Sequence, residues 1–202
     1  MIGPNGSGKT TLLNLITGFC NDYDGKFFFR GKRLSGLKPH KISNLRIGRT
    51  FQETRIFKKM SIMENLTVAS NNRDHDECEK IALDLLEFAG IYDLRSQDAQ
   101  NLSYGQQKLL EFARVLMLDP DLILLDEPTA GINPILIEKM LEDFQRLHQL
   151  GKTLVVVEHN TPLIFDISEK VIVLDHGQKI ADGTPEEIQS DVRVRDTYLG
   201  GS

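Results

Sequence analysis

The sequence predicts an α/β fold with a mainly parallel sheet. The runs Leu122-Ile123-Leu124-Leu125, Leu154-Val155-Val156-Val157 and Val171-Ile172-Val173-Leu174 are continuous and apolar, as strands buried on both faces require. Helical signals alternate with them. Asn133-Pro134 reads as a cap followed by a first-turn proline, and Ile137, Met140, Leu141, Phe144 and Leu147 form an apolar stripe that Gly151 ends. Thr161-Pro162 opens a shorter helix before the third run. Strands alternating with helices point to a parallel sheet covered by helices. The chain also opens on a glycine-rich stretch that leads into a helix.

That stretch, Gly3-Pro4-Asn5-Gly6-Ser7-Gly8-Lys9-Thr10-Thr11, fits G-x-x-x-x-G-K-[ST], the loop that cradles a triphosphate in P-loop NTPases. A triphosphate needs many donors close together, and glycines let the backbone N–H groups reach it without side chains in the way. The next residues, Thr11 to Ile16, read as the first turns of a buried helix whose dipole points at the same phosphates. Lys9 supplies a point charge for the β- and γ-phosphates, and the Thr10 hydroxyl is the expected Mg²⁺ ligand. Only Met1 and Ile2 precede the loop, where a β-strand is expected. The expectation is therefore a chain without its N-terminal strand.

The remaining elements follow in order. Gly25 to Gly31, with Phe27, Phe28 and Phe29 between turn glycines, reads as one strand of a small antiparallel layer. Pro39 to Gly48 reads as a short helix and turn. Ile81, Ala82, Leu85, Leu86 and Phe88 recur at helical spacing over Asp76 to Phe88, and Leu109, Leu110, Phe112, Ala113 and Leu116 do so over Gln106 to Met117. Residues 57–118 are accordingly expected to form a mainly helical subdomain within a single domain of 1–202. Thr184-Pro185-Glu186-Glu187 has the form of a capping box with proline at the first helical position.

Composition narrows the functional classes. The chain has 202 residues, enough for a sizeable core, with 40% hydrophobic and 26% charged residues, as in soluble globular proteins. A net charge of −5 argues against broad nucleic-acid binding. Cys20 and Cys78 form no C-x-x-C pair and read as reduced thiols. No apolar run is long enough to span a membrane, so any membrane role is expected to be played beside another chain.

The run Leu122 to Leu125 ends on two adjacent carboxylates, Asp126 and Glu127. Such a pair is either two surface acids or, in a P-loop ATPase, a Mg²⁺-holding acid followed by one that orients and partly deprotonates the attacking water. A short distance before it, Leu102-Ser103-Tyr104-Gly105-Gln106-Gln107-Lys108 resembles the L-S-G-G-Q signature of ATP-binding-cassette (ABC) ATPases, with Tyr104 in place of the first glycine. Phe51-Gln52-Glu53 resembles that family's Q-loop, Ala130-Gly131-Ile132-Asn133 its D-loop, and Val157-Glu158-His159 its switch strand. The resemblance implies that Gln52 approaches Mg²⁺ and the water while its loop touches a membrane partner. It implies that His159 contacts the γ-phosphate, and that Ser103, Tyr104, Gly105 and Gln106 close on an ATP held by a second cassette, with Asn133 at the cassette–cassette interface.

Arg49-Thr50-Phe51-Gln52, Phe57 to Leu66, Ala181 to Ile188 and Tyr198-Leu199-Gly200 resemble the cassettes of branched-chain amino-acid importers in particular. Cassettes for urea uptake and lipopolysaccharide export share much of the tail. The implied protein is a cytoplasmic ATPase on the inner face of the membrane. It uses ATP and Mg²⁺, pairs with a second cassette, and drives transmembrane permease subunits. The nearest rivals are a lipid or lipopolysaccharide exporter and a urea importer; from other classes, a non-transport ABC ATPase and an inactive interaction fragment. The chain departs from the family pattern in lacking an aromatic residue to stack on adenine, in being shorter between Ala69 and Asp76, and in having Asn133 where many cassettes have Asp.

Overall fold

The computed structural model describes residues 1–70 and 74–195, so Tyr198, Leu199, Gly200 and part of the stretch between Ala69 and Asp76 lie outside the described residues. In chain order the elements are α1 (Lys9–Ile16), β1 (Phe28–Phe29), β2 (Lys32–Arg33), α2 (Pro39–Ser43), β3 (Ile47–Arg49), α3 (Ile62–Thr67), α4 (His75–Ala89), α5 (Tyr104–Leu116), β4 (Leu122–Asp126), α6 (Pro134–Gln149), β5 (Thr153–Val157), α7 (Thr161–Ile167), β6 (Val171–Asp175), β7 (Gln178–Gly183), α8 (Pro185–Ser190) and α9 (Val192–Val194), with 3₁₀ turns at Tyr92–Leu94 and Ala99–Asn101. They fall into two compact units, one of Met1–Ile42 with Val155–Ser202 and one of Ser43–Leu154.

In the first unit Met1 and Ile2 hold the place of a strand. The Met1 ammonium donates to Val156 O at 2.6 Å, and Glu158 N donates to Met1 O. On the other side Ile2 N donates to Ile172 O and Leu174 N to Ile2 O, both at 2.9 Å, as a parallel bridge to Val173. Two residues thus supply strand pairing on both sides, and fully buried Ile2 packs in a core with Leu13, Val157, Ile164, Val171 and Val173. A strand before the loop was not expected from so short a lead.

The stretch Gly25 to Gly31 supplies, as expected, a strand of a small antiparallel layer: β1 and β2 pair as a hairpin. Arg30 and Gly31 form its turn with φ of 47° and 76°, the left-handed pair that matches strand twist in a two-residue loop. The run at Val171, expected as a parallel strand, also pairs antiparallel with β7 around His176-Gly177. β7 carries no apolar run, so the sequence concealed it.

The second unit is centred on β4, whose Ile123, Leu124 and Leu125 are buried. It pairs in parallel with β3, with Ile47 opposite Leu122, and the sheet order is β3–β4–β5, β5 beginning in this unit at Thr153. β3 lies where a turn was expected. A Cβ on Gly48 would come within 2.5 Å of Val115 Cγ1 and 3.3 Å of Pro120, so only glycine lets this strand approach α5. Leu109, Leu110 and Phe112 of α5 pack with Ile62, Leu66, Ala82 and Leu86 of α3 and α4, and Phe112 meets Phe144 of α6 edge-on at 5.4 Å. Asn133 caps α6 with Pro134 at its first turn, and Thr184 with Glu187 makes the expected box at α8. Among the described residues no helix is long and apolar enough to cross a membrane.

Candidate functional site

The glycine-rich loop before α1 is built by backbone that only glycine tolerates. Gly3, Gly6 and Gly8 have φ of 154°, 79° and 99°. A Cβ on Gly3 would stand 2.1 Å from Leu174 O and 2.6 Å from Ser7 Oγ. The loop is also tied to the β6–β7 turn, where Gly177 N donates to Ser7 O at 3.0 Å. Gly8 caps α1 in a left-handed conformation without a side-chain cap, so the start of the helix is not blocked by a side chain. Lys9 is buried, and its ammonium turns back to donate to Gly3 O at 2.7 Å, Pro4 O at 2.9 Å and Ser7 Oγ at 3.4 Å. Those weak neutral acceptors can be exchanged for phosphate oxygens, which carry charge. Thr10 is half-buried, whereas Asn5, Gly6 and Thr11 are exposed. In the same unit Glu158 is buried, and exposed His159 donates its backbone N–H to the Glu158 carboxylate at 3.3 Å.

The second unit carries the acidic pair. Asp126, buried at the end of β4, accepts Arg49 Nη2 at 3.1 Å, and both side chains are almost wholly buried. Its backbone N–H donates to Thr50 Oγ1. Glu127 has left β4 with a φ of 49°, a strained conformation for a residue with a side chain. This turn leaves Glu127 half-exposed while its neighbour stays buried, so one carboxylate can meet water and the other remains within the fold. Gln52, from the loop after β3, donates Nε2–H to Glu127 Oε2 at 3.2 Å. Sequence reasoning paired these two by role; the structure pairs them by contact.

Ser103 caps α5. Its Oγ accepts Gln106 N at 3.3 Å, and its own N–H donates to Gln106 Oε1 at 2.9 Å. Tyr104, exposed, lies over Gly131: a Cβ there would be 3.0 Å from its ring, and Gly131 has a φ of 74°. Gly105 approaches Ile132 and Leu136 just as closely. The signature stretch and the D-loop stretch are therefore one packed surface, with Asn133 exposed beside it. Sequence reasoning assigned no role to Arg49 or Lys108. Their contacts join residues far apart in the chain, and only the basic character of each position was visible beforehand.

Within the first unit the glycine cradle and a lysine that can release carbonyls suit a nucleotide's phosphates, and Thr10 there and Asp126 in the second unit are each hard oxygen donors of the kind magnesium takes. Residues 1–130 match the family model for ABC transporters, and residues 178–202 match that for branched-chain amino acid ATP-binding cassette transporters. The chain is 40% identical to a probable branched-chain amino acid transport ATP-binding protein, LivG, of Archaeoglobus fulgidus, over 99% of this chain and 83% of that protein. It is 36% identical to the high-affinity branched-chain amino acid transport ATP-binding protein BraF of Pseudomonas aeruginosa, over 99% and 86%. Its structure is similar to an ATP-binding cassette of an ABC transporter in its ADP conformation, with a TM-score of 0.87 at 32% identity, covering 99% of this chain and 86% of that one. A cassette solved as a dimer in a post-hydrolysis state with ADP and Pi aligns with a TM-score of 0.82 at 27% identity, covering 91% and 83%. Since both sequence and fold agree over almost the whole length, the chain belongs to the ABC transporter family, as an ATP-hydrolysing cassette subunit that powers a membrane transporter.

Proposed function

We propose that the transporter is an importer of branched-chain or closely related amino acids, and that this cassette works on the inner membrane face, paired with a second cassette and docked on permease subunits. The observation that supports the substrate is whole-chain likeness to proteins named for branched-chain amino acid transport, joined to the separate match of residues 178–202. The residues 57–118 act in this reading as a helical subdomain carrying the signature helix.

The site residues take distinct parts. Gly3 to Thr11 wrap the triphosphate, and Lys9 exchanges its loop carbonyls for phosphate oxygens. Thr10, Gln52 and Asp126 would hold Mg²⁺, which would supply charge neutralisation to the phosphates. Glu127 orients the attacking water and accepts its proton, Gln52 steadies that carboxylate, and His159 stabilises the γ-phosphate. Ser103, Tyr104, Gly105 and Gln106 meet the nucleotide of the partner cassette, with Asn133 at that interface.

Reconstitution with the permease subunits and binding protein of a branched-chain amino-acid importer tests the reading. Leucine uptake driven by ATP is the expected result. ATP turnover stimulated by a lipid or by urea, with no amino-acid uptake, would transfer the chain to a rival substrate class. Within the same assembly Glu127→Gln is expected to slow turnover at least ~10²-fold while retaining nucleotide binding, as for loss of a general base.

A further inference from the structure

Lys108 is a buried ammonium four residues along α5 from Tyr104, with 4% of its surface exposed. A buried cation destabilises a fold unless strong acceptors surround it, and an apolar residue would suit a helix core better. Its acceptors are informative. Lys108 Nζ donates to Gln52 O at 3.2 Å and to Glu127 O at 3.0 Å. The side chains of those same two residues are joined to each other at 3.2 Å. The three form a closed ring whose centre is one ammonium.

The ring sits where the backbone needs support. Glu127 holds a left-handed φ of 49°, and its carbonyl also accepts Ala130 N at 3.3 Å. Neighbours on α5 hold the rest of the Gln52 loop: buried Glu111 accepts Arg55 N at 3.0 Å, and Arg114 donates to Arg55 O and, on α3, to Asn65 O at 3.1 Å. Gln107 Oε1 accepts the Thr54 hydroxyl at 3.5 Å. One helix therefore grips the loop of Gln52 along its length and, through Lys108 alone among these side chains, the backbone of Glu127.

We infer that Lys108 is a positioning residue that ties the start of α5 to the water-handling pair Gln52 and Glu127, so that turnover follows the placement of the signature helix. This inference rests on the role proposed above for Glu127. Lys108 itself touches no nucleotide; it acts by fixing the carbonyls on either side of the pair.

The test uses Lys108→Met, which keeps the stem and removes the donors, and Lys108→Arg, which restores donors. Amide hydrogen exchange in the full chain is read by mass spectrometry over 50–57 and 127–131, with 171–183 as reference. In Lys108→Met, exchange in the first two segments should rise at least ~10-fold with the reference unchanged. ATP turnover should show kcat at least ~10-fold lower and KM within about twofold, and Lys108→Arg should recover most of both. Parental exchange in Lys108→Met, or faster exchange with parental kcat, would overturn the inference. So would faster exchange across all segments in both variants, which would make the ammonium a general core group. Glu127→Gln measured alongside separates the two readings: parental turnover in that variant removes the assignment of Glu127, and with it the basis of the ring's role. Loss of turnover there, beside a normal Lys108→Met, removes the ring alone.

Discussion

Replacing Asp143 by asparagine should remove a pH dependence of stability that is opposite in sign to that of carboxylates held by ion pairs or hydrogen bonds. Asp143 lies on α6 with only 3% of its side chain exposed, and its Oδ2 has no hydrogen-bond partner among the described residues. Burial raises its pKa from 3.8 to about 6, against the pull of Lys139 and Arg146. Arg146 Nη1 is 3.8 Å from the carboxylate and largely exposed, too solvated to offset the loss of hydration. Because the folded state holds the proton more tightly than the unfolded chain, the contribution of Asp143 to stability is fully present below about 4 and is lost as pH rises through about 6. About two pKa units at ~1.36 kcal/mol each give a total of roughly 3 kcal/mol, about half of it already lost at pH 5. Urea unfolding of parent and Asp143→Asn between pH 5 and pH 8 isolates the remainder. The parent should lose ~1–1.5 kcal/mol relative to the variant over that interval, whatever constant offset the amide introduces. A difference between them that stays flat with pH would show that the carboxylate is solvated or paired, and the reasoning from burial would fail.

Gly3→Ala should weaken Mg-ATP binding at least ~10-fold in titration calorimetry, because its Cβ would stand 2.1 Å from a backbone carbonyl and distort the loop; unchanged affinity would mean the cradle adjusts freely. Arg49→Met leaves the Asp126 carboxylate in a buried site without its guanidinium partner, and should lower unfolding stability by about 3 kcal/mol or more, where a loss below ~1 kcal/mol would mark the pair as dispensable. Ser103→Arg should leave ATP binding near the parent's but abolish ATP-dependent pairing seen by light scattering. A monomer of this variant with normal turnover would refute a shared nucleotide site.

The features legible in the sequence were those with short-range signals. The buried strands declared themselves as unbroken apolar runs, and the glycine loop, the caps at Asn133 and Thr184, and the helix in α4 each depend on residues within a few positions. β3 was hidden because Ile47-Gly48-Arg49 has one apolar side chain, and its glycine answers to Val115 and Pro120 rather than to its neighbours. β7 was hidden because it hydrogen-bonds as a hairpin edge and buries only Ala181 deeply. At the site, Asp126, Glu127 and Gln52 could be picked out by family pattern. The contacts of Arg49 with Asp126 and of Lys108 with Gln52 and Glu127 span between 19 and 77 positions, a distance at which one sequence carries no readable signal.

The pairing of Ile2 with Ile172 and Leu174 has a bearing on how the molecule is made. During translation Ile2 leaves the ribosome about 170 residues ahead of its partners, an interval of roughly 10–35 s at ordinary rates of synthesis. Until those partners emerge, the glycine loop has nothing on the β6 side to set its direction, and the tie from Gly177 to Ser7 cannot form. The nascent protein therefore has the whole motif for nucleotide early but the cradle late. Competence to bind nucleotide is expected only once residues 172–177 have emerged, when synthesis is nearly finished.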